Sequence, residues 1–249
     1  MSEPPRLYVE PDTLAAGKRS LSGDDYHYLV RVLRMGVGSQ VVLFDGAGRR
    51  ANATLARVGP RDALLEVGLV GAVSPRTDPR IWILLPLLKG DRMDWCIQKL
   101  VELGTSRILP IRTARCVVEL RGQRAQRRLR RWTAIARAAA RQSQGEMVPE
   151  LAPVADLQEA IATAEAAALK LVFWERTRAR SLRTALHSQE PPASIAVLVG
   201  PEGGLEPEEV DRAITAGFVP MGLGPRVLRA ETAAIAAATV LGYALGDIG

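Results

Sequence analysis

Two glycine-bearing segments hold most of the residues capable of chemistry. In the first, Ile195-Ala-Val-Leu-Val-Gly-Pro-Glu-Gly-Gly204, an apolar strand runs into a Gly-rich loop, and a helix begins near Pro207. Loops at the C-terminal ends of strands are where open α/β sheets bind ligands. Pro207 suits a first helical turn, and Glu206, Glu208 and Glu209 place three acids at the positive helix end, which favours the helix and repels phosphate. Neither a G-x-G-x-x-G nor a Walker A pattern is present, so a nucleoside-like ligand without phosphates is expected. A plain turn explains Gly203 and Gly204 equally well. In the second segment, Met221-Gly-Leu-Gly-Pro-Arg-Val-Leu-Arg-Ala-Glu-Thr-Ala233, a loop follows the next strand and leads into an Ala-rich helix. Arg226, Arg229 and Glu231 fall between that loop and the buried helix, where charges are expected to be paired or bound, because burying them alone is costly. The other reading, a Glu231–Arg229 pair at the helix start, leaves one arginine unexplained.

Composition removes other chemistries. The 249 residues include two cysteines, Cys96 and Cys116, and two histidines, His27 and His187, too few for a disulfide framework or a four-ligand Cys/His zinc cluster; no metal is expected and a reducing cytoplasm fits. The start, Met-Ser-Glu-Pro-Pro, has no basic region followed by an apolar core, and no apolar run approaches the ~18 residues of a spanning helix, so neither secretion nor a membrane is expected. Of the 33 basic residues only four are lysines, and the net charge is +6. An arginine bias reflects either genome composition or phosphate recognition by the guanidinium fork. Placement says more: from Arg112 to Arg141 ten arginines stand against one acid, Glu119, a local excess of +9 that leaves the remainder at −3. Such a block suits a polyanion, with a plain solvated helix as the other reading.

The elements that must position these residues fall into two patterns. Up to residue 70 short strands are expected at Gln40–Asp45, Arg49–Val58 and Ala63–Val70, with one helix opened by a box-like Ser22/Asp25 start that places Arg31 and Arg34 on one face. Gly71–Pro79, with two prolines and no periodicity, reads as a linker, giving domains at 1–73 and 74–249. Beyond it, apolar runs at 81–88, 108–111, 171–174, 195–199 and 218–223 suit strands buried on both faces. Helices are expected between them at 91–103, 123–142, 156–169, 179–188 and 207–216, with a buried Ala-rich one at 230–245. The class is α/β with a mainly parallel sheet beside a small β-barrel. On the basic helix, Leu129, Trp132, Ala136 and Ala139 form the docking stripe; Arg124, Arg127, Arg128 and Arg131 flank it, with Arg130, Arg137 and Arg141 in another strip, all available for phosphates.

Four motifs in order, His27-Tyr-Leu-Val-Arg-Val-Leu-Arg34, Lys89-Gly-Asp-Arg-Met-Asp-Trp-Cys-Ile-Gln-Lys-Leu-Val-Glu-Leu-Gly104, Val199-Gly-Pro-Glu-Gly-Gly204 and Leu223-Gly-Pro-Arg-Val-Leu-Arg-Ala-Glu-Thr-Ala233, span nearly the whole chain. Together they resemble the 16S ribosomal RNA uracil-N3 methyltransferases of the SPOUT superfamily. The resemblance implies an N-terminal PUA-like RNA-binding barrel and a C-terminal trefoil-knotted domain, a rare topology that periodicity does not reveal. It implies a homodimer that binds S-adenosyl-L-methionine and methylates N3 of a uridine in 16S rRNA of the small ribosomal subunit.

Carried over, Gly200, Pro201, Glu202, Gly203 and Gly204 form one wall of the cofactor pocket. Leu223, Gly224, Val227, Leu228 and Thr232 form a second, and Phe173, Trp174 and Glu175 a third. Arg229 or Arg226 would stabilise charge on the uracil oxygens, and Glu231 would orient that arginine or accept the N3 proton. His27, Arg31, Arg34, Lys89, Arg92 and Arg115 match motif positions on the RNA side, as do Asp91, Lys99 and Glu102 there or in the adjoining core; Lys99 and Glu102 also read as a surface pair. The chain departs from the family where Gly145 stands in place of an arginine before Val148-Pro149; Arg137 or Arg141 is the candidate to compensate. Two other readings stay open: a superfamily member acting on another RNA or a ribose 2′-hydroxyl, and a non-catalytic RNA-binding assembly factor.

Overall fold

In a computed structural model, residues 3–72, 80–145, 147–174 and 192–248 are described. Contacts divide the chain into two units, Met1–Arg76 with Ala140–Val148, and Thr77–Ala139 with Pro149–Gly249. The expected boundary at 73/74 lies outside the described residues.

Strict alternation builds the first unit: along β4 (Arg49–Val58), Ala51, Ala53 and Leu55 point inward and their neighbours outward. With β1 (Arg6–Tyr8), β2 (Gly17–Leu21), β3 (Gln40–Phe44), β5 (Ala63–Val67) and β6 (Gly71–Ala72) it forms a six-stranded sheet in the order β1-β3-β4-β5-β2, with β6 also on β4. All pairings are antiparallel except β1 with β3. The two strands that sequence misses, β1 and β2, are short, and β2 (Gly-Lys-Arg-Ser-Leu) has no inward-facing apolar residue before Leu21.

The helix also differs from expectation. α1 (Gly23–Tyr26) widens into a π-helical stretch, His27–Val32, where the Leu33 N–H donates to the Tyr28 carbonyl at 3.0 Å. Ser22 stands at the N-cap, but its side chain makes no capping bond. Arg34 lies beyond the helix end with φ 55, so it and Arg31 do not share a helical face. Ala140–Val148, placed by sequence in the second domain, packs here instead: Arg6 donates to the Gln144 carbonyl, Val148 N–H to the Gly46 carbonyl at 3.0 Å, and the Arg141 guanidinium lies 4.0 Å from the Tyr28 ring centroid.

Apolar runs without alternation build the second unit. Its strands are β7 (Arg80–Pro86), β8 (Arg107–Arg112), β9 (Glu150–Leu151), β10 (Ala155–Asp156), β11 (Leu169–Phe173), β12 (Ser194–Val199) and β13 (Val219–Met221). They pair in parallel in the order β10-β8-β7-β12-β11-β13, with β9 beside β8. Central β7 and β12 are covered on both faces, which explains their unbroken hydrophobicity.

The helices are α2 (Arg92–Glu102), α3 (Gly122–Gln142), α4 (Leu157–Thr163), α5 (Pro207–Thr215) and α6 (Ala230–Ala244). α4 is shorter than expected. It opens with a capping box between Asp156 and Glu159, gives way to a 3-10 turn at Ala164–Ala166, and leaves Leu169 to β11. In α6, Ala230, Ala234, Ala237, Ala238 and Leu241 are buried, whereas Val240 faces outward, because a helix packed on one side keeps only one stripe dry. The helix expected at 179–188 lies outside the described residues.

Leu84, fully buried in β7, tests this core. Leu84→Ala should cost about 2–5 kcal/mol of stability, read as a lower urea midpoint for the second unit.

Candidate active site

Because β11, β12 and β13 run parallel, the segments that follow them leave the sheet on one edge. They enclose a pocket of about 170 Å³. Phe173 and Trp174 form one wall, Val199–Gly204 a second, and Gly222–Gly224 with Arg226–Leu228 a third; Ala230 and Ala233 of α6 close it. The Trp174 backbone N–H donates to the Met221 carbonyl at 3.0 Å, tying the first wall to the third. Gly204 takes φ 73 and Gly224 φ 103, left-handed backbone that glycine adopts without strain. At Gly200 a Cβ would stand 3.1 Å from both Leu205 Cγ and its backbone nitrogen, so a side chain there would press on the turn and shift Leu205 by a few tenths of an ångström.

The acidic helix start has a second use that sequence missed. Buried Glu209 accepts the Glu206 N–H at 3.0 Å, completing a capping box, and its other oxygen accepts the Ala114 N–H at 2.8 Å. That bond fastens the turn after β8 to the first turn of α5, just beyond the second pocket wall. Arg115, in the same turn, donates to the Gly203 carbonyl at 2.9 Å and lies 3.7 Å from the Glu206 carboxylate. Arg92 donates to Glu202 at 3.2 Å. Two residues expected to face RNA therefore also brace the pocket loop.

Among the expected cofactor residues, Phe173, Trp174, Gly200, Pro201, Glu202, Gly203, Gly204, Leu223, Gly224, Val227 and Leu228 all line this pocket. Thr232 does not: it is exposed, while Ala230 and Ala233, three apart and so on one face, take its place. Glu175 lies outside the described residues. The charged trio is not the buried cluster expected. Arg226 is exposed at the pocket lip, Arg229 is exposed at the N-cap of α6, and only Glu231 is buried. No ion pair joins Arg229 to Glu231 among the described residues, since the backbone turn at the cap sends the two side chains to different surroundings. One Glu231 carboxylate oxygen is enclosed without a hydrogen-bond partner. Cys96 of α2 lies against Glu231, its thiol 4.0 Å from the Glu231 carbonyl, and burial together with the Glu231 charge pushes the thiol up to about 12.

The remaining basic residues sort into two settings. In the first unit His27, Arg31 and Arg34 are exposed; Arg31 donates to the Pro60 carbonyl at 3.0 Å and lies 5.7 Å from the Tyr26 ring centroid. Arg141 is stacked on Tyr28 there, which removes it from the phosphate-facing strip of α3. In the second unit Lys89, Arg92, Arg124, Arg127 and Arg128 are exposed. Lys99 and Glu102 pair with each other at 2.8 Å on α2. Arg131 is held: its guanidinium bonds buried Asp94 of α2 at 2.7 Å, and Asp94 also accepts the indole N–H of buried Trp132 at 3.1 Å. Asp94 thus fixes the roll of α3, a role that no sequence signal marks.

The pocket suits a nucleoside bearing a cationic sulfonium. Among the described residues its walls are backbone with apolar Phe173, Leu223 and Leu228, and its charged side chains are Glu202 and, at the lip, Arg226. Among the described residues no group of three or more His, Cys, Asp or Glu could hold a metal ion, and no helix is long and apolar enough to cross a membrane.

Residues 76–242 match the family model of an RNA methyltransferase domain, and residues 21–68 that of an RNA methyltransferase PUA domain. The chain is 34% identical over 229 residues to ribosomal RNA small subunit methyltransferase E of Bacillus subtilis, covering 90% of this chain and 89% of that one. It superposes with a TM-score of 0.88 and 31% identity on a methyltransferase of Legionella pneumophila in complex with bound SAM, covering 98% of both chains. Ribosomal RNA small subunit methyltransferase E of Neisseria gonorrhoeae, bound to S-adenosyl methionine, gives 0.86 and 33%, covering 97% of this chain and 98% of that one.

Asp94→Ala leaves the buried Trp132 indole without its acceptor and should cost about 1–3 kcal/mol. Chemical denaturation with Trp fluorescence checks this; an unchanged midpoint would show that Asp94 does not pin α3.

Proposed function

The chain belongs to the ribosomal RNA small subunit methyltransferase E family, and we propose that it transfers a methyl group to N3 of a specific uracil in 16S rRNA of the small subunit. The observation that carries this reading is the convergence of three strand-end segments, two of them glycine-bearing, on one pocket whose lip bears Arg226. Bound S-adenosylmethionine supplies an electrophilic methyl group. Phe173, Leu223 and Leu228 would hold its apolar surface, the backbone of Gly200–Gly204 its polar edges, and Glu202 would complement its positive charge. The trefoil knot of the SPOUT superfamily belongs to this reading.

N3 of uracil carries an imide proton and becomes nucleophilic only as that proton leaves. The negative charge then spreads to the flanking carbonyl oxygens, where a preorganised cationic donor lowers the barrier. Arg226 at the lip, with Arg229 three residues on, is assigned that role, and Glu231 the role of proton acceptor or positioning residue. N3 lies on the pairing edge, so the base must be unpaired or flipped out when it reacts. The first unit, including His27, Arg31 and Arg34, would add RNA contacts through the phosphate backbone. A metal-free reaction and a cytoplasmic location belong to the same reading.

A homodimer is part of the proposal. α2 packs on α6, and together they leave Trp95 (48%), Val240 (43%) and Tyr243 (72%) exposed, large apolar groups on two adjoining helices. Sedimentation of wild type and Tyr243→Asp should show a dimer and a monomer respectively; a monomeric wild type would remove this part.

The reaction is tested by incubating small ribosomal subunits and naked 16S rRNA with the enzyme and methyl donor, followed by nucleoside mass spectrometry. N3-methyluridine is the expected product, and a methylated ribose or other base would overturn the assignment. Arg226→Ala should lower kcat by about 100-fold, the scale of one lost charge-stabilising donor, with S-adenosylhomocysteine affinity little changed. Wild-type turnover in both Arg226→Ala and Arg229→Ala would exclude the arginine role.

A further inference from the structure

A second cleft of about 710 Å³ lies in the same unit, beside α3. Its floor includes Leu87, Leu88 and Met93, all buried, and the exposed side chain of Val117. Its rim is Arg124, Arg127 and Arg128, spaced three and four apart and so on one helix face. None of these three has an ion-pair partner among the described residues. Arg131, also on the cleft, is occupied by Asp94. The single carboxylate of the lining, Glu119, lies 3.9 Å from Arg121 outside it. Three like charges side by side repel one another, and an anion relieves that repulsion.

We propose that this cleft seats one unpaired nucleotide adjacent to the target uridine, its base on the apolar floor and its phosphate on the arginine rim. The inference rests on the RNA-methylating reading above and adds to it a base-holding site. A surface that only tracks phosphates has no use for an apolar floor, whereas a base offers a face to any such platform. The volume falls within the roughly 300–1,000 Å³ typical of ligand clefts. Position makes the nucleotide a neighbour of the target. β7 and β8 are parallel to β12, so Leu87 and Val117, which follow them, emerge on the same edge as the cofactor loop. The Arg92–Glu202 bond joins that loop to the first turn of α2, which supplies Met93 to the floor.

The test compares two probes of equal charge, a tetrauridylate and its abasic ribose-phosphate counterpart, titrated onto the full-length protein with S-adenosylhomocysteine present. Tetrauridylate should bind at least tenfold tighter. Val117→Gln, a neutral change at an exposed position, should lower that preference several-fold, the remainder belonging to the target uracil, and Val117→Phe should increase it. Arg124→Glu/Arg127→Glu/Arg128→Glu should weaken both probes and flatten their salt dependence. Equal affinity for the two probes, or a preference unchanged by both Val117→Gln and Val117→Phe, overturns the base-holding site. So does a shift in oligomeric state on Val117→Gln, which would mean that a second copy fills the cleft. These outcomes are separable from failure of the proposed reaction, which would appear as absence of N3-methyluridine in subunits treated with wild-type enzyme.

Discussion

Every pairing in the second sheet is parallel, and this single constraint sends the segment after each strand to the same edge. Three of those segments build the cofactor pocket, and the segments after β7 and β8 build the cleft next to α3. A mixed sheet would have divided the same residues between opposite edges. Burial on both faces maintains this register, since a polar residue inside β7 or β12 would have neither water nor a partner.

Charge is partitioned on that frame. Acids gather at the pocket loop and the start of α5, where Glu206 and Glu209 satisfy orphan helix amides and Glu209 also holds the neighbouring turn. Arginines gather on α3. Two arginines outside α3 brace the pocket loop itself, Arg92 of α2 at Glu202 and Arg115 of the turn after β8 at the Gly203 carbonyl. Asp94 performs the complementary task on the other side of α2, fixing α3 so that Arg124, Arg127 and Arg128 remain exposed. A buried carboxylate with both oxygens bonded is a stable device for this purpose; one left without partners would cost several kcal/mol.

The family and both glycine-loop walls could be read from sequence because they depend on local chemistry. A buried parallel strand must be apolar throughout, and a tight loop beside a ligand must be glycine. β4, α3 and β12 were found within a residue or two for the same reason, their periodicity being strong. β1 and β2 escaped notice because three to five residues at a sheet edge carry no periodic signal, and the π-helical widening at His27–Val32 has none either.

The site divides along the same line. Sequence by itself determined the loops at the strand ends, the acidic helix start and the arginine block, all of which are contiguous in the chain. Tertiary structure alone decided which charges are free and which are engaged. Thr232 turned outward and gave its place to Ala230 and Ala233; Arg141 left the arginine strip for Tyr28; Arg131 was taken by Asp94, thirty-seven residues earlier. Arg226 and Arg229 proved exposed and Glu231 buried, although they lie within six residues of one another. Residue type and spacing specify what a side chain can do, but partners distant in sequence are brought within hydrogen-bond reach only when helices dock, and docking is a property of the whole core.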